Sequence, residues 1–113
     1  GYYSLYNELG RVEAIRELGF TYKQMEDMGI MMPVAELNAK YYRPAKYDDL
    51  ITVKTILKEL PDGPKISFHS ELYNEGNELL NVGVTTLVFY DPANKTKTTM
   101  PQALVEKLKI YFE

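Results

Sequence analysis

The stretch from Gly1 to Gly19, GYYSLYNELGRVEAIRELG, most constrains the fold, because it is the longest segment with helical periodicity. Two neighbouring lines of mostly apolar residues run along it, one with Leu5, Leu9, Val12 and Ile15 and one with Tyr3, Tyr6, Gly10 and Ala14. Together they form an arc wider than a surface helix needs, so we expect a sheet against much of this helix. Gly10 has no side chain on that arc, so another backbone can approach there. Gly19 suits the left-handed residue that ends a helix.

Composition limits the classes to which the protein can belong. The 113 residues fit one domain, and 45% hydrophobic with 26% charged residues is typical of globular proteins. Zero cysteines exclude a disulfide framework, a thiol nucleophile and a cysteine-based zinc site. A net charge of −3 argues against nucleic acid as a partner. No apolar run reaches the roughly 20 residues of a membrane helix. With no signal-peptide pattern, we expect the reducing cytoplasm.

The rest of the chain reads as a short helix, four long strands and a last helix. Thr21 begins a T-x-x-Q capping box, and the short helix that follows is expected to turn Met25 and Met28 inward. The strands are predicted over 32–43, 51–57, 65–73 and 79–90, with the last one central because it is apolar on both faces. Gly83 within it permits a bulge or a close backbone approach. The last helix follows Pro101, and its expected buried side holds Leu104, Val105, Leu108, Tyr111 and Phe112.

Several separated segments carry a family resemblance. Tyr3, Tyr6, Glu8, Arg11 and Glu13 match the pattern N-Y-x-x-Y-x-E-x-x-R-x-E, except that Tyr2 replaces the asparagine, and the later segments PV, YRPA and YDD match in order and spacing. In these segments the chain resembles the hotdog-fold acyl-CoA thioesterases of the 4-hydroxybenzoyl-CoA thioesterase type. The resemblance implies an α+β hotdog fold over residues 1–113, in which a curved antiparallel sheet wraps a long N-terminal helix and a short C-terminal helix follows.

The resemblance also implies where the catalytic group lies. The family's aspartate belongs to a D-x-x-G segment on a first strand ahead of the helix, so we expect both that strand and the catalytic residue before Gly1. Thioester hydrolysis of this type needs a carboxylate as nucleophile or general base and hydrogen-bond donors for the developing oxyanion. The first amides of a helix lack intrahelical partners, so the start of the 1–19 helix can supply such donors.

By the same resemblance, Tyr3 and Glu8 would line the acyl pocket. Met31 and Met32, just before Pro33, are further candidates for contact with the acyl chain. The alternatives stay open: Glu8 also fits an exposed or ion-paired helix acid, and the methionines also fit the core. Coenzyme A enters as part of the substrate, with no separate cofactor. Its phosphates would meet basic residues, for which the candidates are Lys65, Lys95 and Lys97. Ordinary solvated lysines would give the same pattern.

Two sharper-looking sites are weaker predictions. Ser67, His69 and Glu71 share one face of a strand, but residues two apart there are separated by about 6.6 Å, whereas a nucleophile and its base need roughly 3 Å. A metal site is not expected either, since one histidine stands with no cysteine and no acid cluster at ligand spacing.

The long strand over 32–43 is the candidate edge through which two copies pair, so we expect a homodimer or homotetramer with active sites at the shared boundary. Two other functions remain open at this point. One is a hotdog hydratase or dehydratase acting on acyl thioesters, which would use an Asp/His pair. The other is a non-catalytic acyl-thioester binding protein.

Overall fold

The computed structural model describes residues 2–46, 48–61 and 63–112, with residues 2–5 described by their backbone alone. Its elements run in the order α1 (Tyr2–Glu17), α2 (Tyr22–Asp27), β1 (Val34–Tyr41), β2 (Thr52–Ile56), β3 (Lys65–Tyr73), β4 (Leu79–Val88), β5 (Tyr90–Asp91), β6 (Thr96–Lys97) and α3 (Gln102–Lys109). The four predicted long strands and the three predicted helices are all present, and the chain has the predicted α+β hotdog fold. The two-stranded β5–β6 hairpin was not predicted.

The four long strands form one antiparallel sheet in the order β1-β4-β3-β2. The prediction that the 79–90 segment is central is confirmed, since β4 lies between β1 and β3. Along β3 the side chains alternate, with Ile66, Phe68, Ser70 and Leu72 buried and the residues between them less so. Register shifts occur between Val34 and Glu36 and between Leu72 and Tyr73. Gly83 therefore carries no bulge, and the other reason for a glycine, close approach, applies there.

Helix α1 lies on one face of the sheet and crosses the strands. A Cβ added to Gly10 would lie 2.6 Å from Thr55 Oγ1 and 2.7 Å from Val53 Cγ1, both on β2. A Cβ added to Gly83, on β4, would lie 3.5 Å from Asn7 Nδ2. Asn7 of α1 lies beside β4, and Gly10, three residues later in the same helix, packs against β2. The helix therefore crosses the sheet from β4 towards β2. We call the face under α1 the concave face and the opposite one the convex face.

The core lies where α1, α2 and α3 meet the concave face at the end of the sheet away from the first turn of α1. Its buried members include Ile15 in the second half of α1 and Phe20 just after the end of that helix, with Met25, Ile66, Phe68, Leu87, Phe89, Met100, Leu104 and Leu108. The predicted cap of α2 is present, since the Gln24 amide donates to Thr21 Oγ1 at 3.1 Å. Gly19 has the predicted left-handed φ of 101°.

Three of the predicted buried positions are exposed. Met28 is 48% exposed because α2 has six residues and turns only Met25 inward. Tyr111 and Phe112 are 59% and 38% exposed because α3 ends at Lys109, before either residue.

The wide apolar arc predicted for α1 is also only partly covered. Leu9 is 54% exposed, because the sheet lies against the neighbouring line through Gly10 rather than against Leu9.

Candidate functional site

From the contacts of Asn7 and Gly10 we infer that the first turn of α1 lies on the side of the concave face that faces β1. Asn7 lies beside Gly83, and Gly83 pairs with Ala39 of β1. Since the helix runs from there towards β2, its start lies on the β1 side of Asn7. The amides of that first turn lack intrahelical partners and carry the positive end of the helix dipole. This places unsatisfied donors at the open side of the concave face.

A row of buried polar side chains lies between this end of the helix and the sheet. It consists of Asn7, Ser70, Asn81 and Thr85, each at most 7% exposed. In the described part of the chain, Asn7 Oδ1 and Asn81 Oδ1 have no hydrogen-bond partner. Leaving such an atom unsatisfied costs about 1–3 kcal/mol. A water molecule or a bound ligand that donates a hydrogen bond to these two oxygens would therefore be stabilised at this place.

Sequence reasoning missed this polar row. The available signal was that Asn7 lies three residues before Gly10 and seven before Ala14, and so on the same helix face as both. A polar residue on the helix face that packs against the sheet predicts a polar contact with the sheet. The partners on the sheet carry no comparable signal, because a serine, an asparagine or a threonine in a strand is ordinary.

Strand β1 borders the polar row and is exposed along its whole length. Leu37 pairs with Thr85 and Tyr41 pairs with Asn81, so both side chains share the concave face with the row. They are 53% and 63% exposed. An apolar surface beside unsatisfied polar groups is the combination that ligand pockets and interfaces share.

Of the three predicted acyl-pocket residues, the structure describes the side chains of Glu8, on α1, and Met32, before β1. The side chain of Tyr3 lies outside the described part. Glu8 is exposed on α1, next to Asn7 in the chain. Met32 is half-buried, packs against the core and lines a cavity of about 210 Å³ with Tyr22, Glu26, Ile30, Met31 and Pro33.

Two of the predicted coenzyme A lysines lie at the same end of the sheet as Met32. Lys65 pairs with Val88, whose amide also bonds to Pro33, at 3.0 Å. Lys97 pairs with Tyr90, which bridges to Met31.

Lys95, the third lysine, lies in the β5–β6 turn with a left-handed φ of 53°. Along β4, this end of the sheet is five residues from Gly83, or roughly 17 Å. The lysines are thus well separated from the start of α1, as a thioester and the phosphates of one coenzyme A molecule would be.

The Ser67, His69 and Glu71 group lies on the convex face, away from α1. Ser67 Oγ lies 2.9 Å from Thr86 Oγ1, a hydroxyl on the neighbouring strand. Among the described residues, no three acidic, histidine or cysteine side chains lie close enough to hold a metal ion. Within that same part of the chain, no helix is long and apolar enough to cross a membrane.

Comparisons with known proteins identify the family and the fold of the chain. Over 77 residues the chain is 34% identical to YneP of Bacillus subtilis, and this match covers 68% of the chain and 55% of YneP. The acyl-CoA thioester hydrolase YbgC of Escherichia coli is 25% identical over 107 residues, covering 95% of this chain and 79% of YbgC. The crystal structure of a DHNA-CoA thioesterase from Staphylococcus aureus superposes with a TM-score of 0.81 at 26% identity, covering 98% of this chain and 80% of that one. The model of the thioesterase-like superfamily matches residues 1–108, and the chain belongs to that family.

Proposed function

We propose that the protein is an acyl-CoA thioesterase, which hydrolyses an acyl-CoA to the free acid and coenzyme A. The observation that carries this proposal is the position of the start of α1, directed over the open concave face beside β1, in a chain of the thioesterase-like superfamily. Similarity to YbgC, named as an acyl-CoA thioester hydrolase, supports the reaction class.

In this mechanism the first amides of α1 bind the thioester carbonyl oxygen and stabilise the negative charge that develops on it. The carboxylate that attacks the carbonyl carbon, or that activates a water to do so, lies on the segment that precedes the helix in the resembling family, ahead of residue 1. The coenzyme A thiolate leaves as the carbon–sulfur bond breaks. Water supplies the hydroxyl of the product acid.

The acyl group would lie along the exposed concave side of β1, with Tyr3 and Glu8 from the helix and Met32 from the segment before β1 as contacts. The nucleotide phosphates would lie at the far end of the sheet, where Lys65 and Lys97 flank β4 and β5 and Lys95 follows in the turn. Lysine suits phosphate as a point charge.

The site would be completed by a second copy of the chain. An exposed edge strand that carries unpaired backbone groups and apolar side chains is a template for pairing. We therefore propose a homodimer through β1, which would also cover Leu37 beside the polar row.

The test is thiol release from a panel of acyl-CoAs by the full-length protein. We expect release that is lost when the aspartate ahead of the helix is replaced by alanine. Release that survives this change would contradict the carboxylate mechanism, and a change at a carbon–carbon double bond without free thiol would indicate a hydratase instead. Binding without either reaction would indicate a non-catalytic binding protein.

The role of Glu8 has its own test. If Glu8 contacts the acyl group, Glu8→Gln lowers kcat/KM by about tenfold or more. The matched control is Glu13→Gln, an equally conservative change at another exposed acid of the same helix. Equal effects of the two variants would indicate that Glu8 is an ordinary surface acid without contact to the acyl group.

A further inference from the structure

Arg11 differs in its surroundings from the other two arginines of the chain. Arg16 and Arg43 have side chains that are more than half exposed, and each forms an ion pair with a glutamate. Arg11 is half-buried, yet no described residue forms an ion pair with it. A charge that loses contact with water needs a counter-charge more than an exposed charge does. The distribution of partners is therefore the reverse of the expected one.

The guanidinium of Arg11 keeps most of its hydrogen-bond donors free. Its Nε donates to the Tyr22 hydroxyl at 3.0 Å, which ties α1 to α2. A guanidinium has five N–H donors, and in the described part of the chain the remaining ones have no acceptor. A planar group with free donors is suited to a carboxylate, which it binds through two parallel hydrogen bonds.

Arg11 lies between two residues that the proposed thioesterase would present to the acyl group. Glu8 precedes it by three positions, so both side chains leave the same side of α1. Tyr22, the partner of Arg11, lines the cavity of about 210 Å³ that Met32 also lines. An acyl group that runs past Glu8 towards Met32 therefore passes Arg11.

The distance from the start of α1 limits the length of such an acyl group. Residues 2–4 precede Arg11 by seven to nine positions, or about 11–14 Å along the helix axis. Side chains of a helix lean towards its N-terminus, which brings the guanidinium nearer to the first amides than its own backbone is. With carbon–carbon bonds of about 1.5 Å, an extended chain of roughly six to eight carbons spans about 6–9 Å.

We propose that Arg11 binds a carboxylate at the far end of the acyl group, so that the preferred substrates are coenzyme A monothioesters of dicarboxylic acids with about six to eight carbons. This inference rests on the proposed thioesterase activity. The thioester carbonyl would lie at the first amides of α1, and the free carboxylate would accept hydrogen bonds from the guanidinium while Tyr22 holds Nε. Hydrolysis by water would release the dicarboxylic acid and coenzyme A.

Two carboxylates oppose this substrate. Glu8 lies on the same side of α1 as Arg11, and Glu26 lines the cavity together with Tyr22. Both acids are exposed and neither pairs with Arg11, so both can turn into solvent, where repulsion is screened. The half-buried guanidinium acts through a lower effective dielectric constant, so its attraction for the substrate carboxylate is the stronger of the two effects.

The first test compares adipoyl-CoA with hexanoyl-CoA in the thiol assay on the full-length protein, since the two differ only at the far end of the acyl group. We expect kcat/KM for adipoyl-CoA to be higher by about tenfold or more, because a hydrogen bond to a charged group contributes that much. Arg11→Met keeps the length of the side chain and removes its charge, so it should bring the ratio close to one. A wild-type ratio of one, or a ratio that Arg11→Met leaves unchanged, would overturn the inference.

Arg16→Met, at the exposed arginine of the same helix, is the matched control and should keep the wild-type ratio. Arg11→Lys keeps a charge without the planar pair of donors, so its ratio should lie between those of wild type and Arg11→Met. This variant also serves if Arg11→Met does not fold. A role confined to holding α2 would lower the melting temperature of Arg11→Met and Tyr22→Phe alike and leave both ratios at the wild-type value, which would contradict the proposal.

Binding without catalysis distinguishes the two possible failures. The carboxypentyl and hexyl thioethers of coenzyme A cannot be hydrolysed, so calorimetry measures their dissociation constants directly. The carboxypentyl thioether should bind about tenfold more tightly or better, and Arg11→Met should remove the difference. Release of thiol from hexanoyl-CoA with no preference for adipoyl-CoA would overturn this inference alone. No thiol release from either acyl-CoA would overturn the proposed function, and equal or absent binding of the two thioethers would overturn the inference as well.

Discussion

At the scale of single residues, Gly10 determines how closely α1 can approach the sheet. An added Cβ would lie 2.6 Å from Thr55 Oγ1 and 2.7 Å from Val53 Cγ1, side chains held in place by strand β2. Alanine would gain about 1 kcal/mol in helix propensity over glycine. Overpacking of this kind costs about 1–3 kcal/mol, so the clash is expected to prevail.

We therefore expect Gly10→Ala to lower the free energy of unfolding by about 1 kcal/mol, the middle of the net range from about 0 to about 2, measured by urea denaturation. Gly76→Ala is the matched control, since its Cβ would find its nearest neighbour at an ordinary 3.4 Å. This control should stay within about 0.5 kcal/mol of wild type. A Gly10→Ala variant as stable as wild type would show that α1 can move away from β2.

Asn7 gives a second prediction at this scale. Because its buried Oδ1 lacks a partner among the described residues, Asn7→Leu should raise the free energy of unfolding by about 1–3 kcal/mol. If the polar row takes part in the reaction, the same variant should lose thiol release on acyl-CoA. Thermal melts and the thiol assay measure the two effects. A variant that is less stable and fully active would contradict this role of Asn7.

These two residues also show what a sequence can predict. Gly10 was predictable, since a glycine within an apolar helical line has few reasons to be there other than close approach. The neighbour it meets, Thr55, was not, because spacing along one element says nothing about the position of another. The predicted site residues meet the same limit: Glu8 was predicted from a family resemblance and Met32 from its place before Pro33, and neither prediction gives the distance between them, which depends on how elements pack.

At the scale of elements, β1 shows the same limit. Its alternation predicted a strand with one apolar face, and the strand is present as Val34–Tyr41. Within the single chain, however, that face is exposed, because α1 lies over β2, β3 and β4 instead. An amphipathic strand pattern predicts that one face of the strand will be covered, but it does not predict which element or which chain covers it. The β5–β6 hairpin was missed for a different reason, since two-residue strands carry no periodicity.

The β3–β4 turn gives an element-scale prediction about pH. Glu78 Oε1 accepts from Asn74 Nδ2 at 3.0 Å, and Arg43 forms an ion pair with the same carboxylate. The hydrogen bond from Asn74, and then the charge of Arg43, lower the pKa of Glu78 below its ordinary value. A lowered pKa in the folded state stabilises the turn above the ordinary glutamate pKa, and this stabilisation is lost as the pH falls through the folded value.

Hydrogen-exchange protection of the Asn74 amide, which donates to the Glu78 carbonyl at 3.1 Å, should therefore fall as the pH decreases from about 5 to about 3. Glu78→Gln should remove this pH dependence, whereas Glu59→Gln, at another exposed acid, should keep it. An unchanged pH dependence in Glu78→Gln would assign it to another group.

At the scale of the whole molecule, the exposed β1 edge links fold to function. Leu37→Lys would place a charge on the concave side of β1, where the proposed dimer covers it, so it should convert the protein to monomers with their fold intact. Circular dichroism and light scattering measure fold and mass. Lys23→Leu, at an exposed position on α2, is a control that changes hydrophobicity elsewhere.

The most direct measurement of the central claim is thiol release from acyl-CoA by the full-length protein and by its Leu37→Lys variant. An active site formed by the start of α1 at a boundary between two copies predicts release by the wild type and a loss of about a hundredfold or more in the monomeric variant. Release that remains undiminished in a folded monomer would contradict this account.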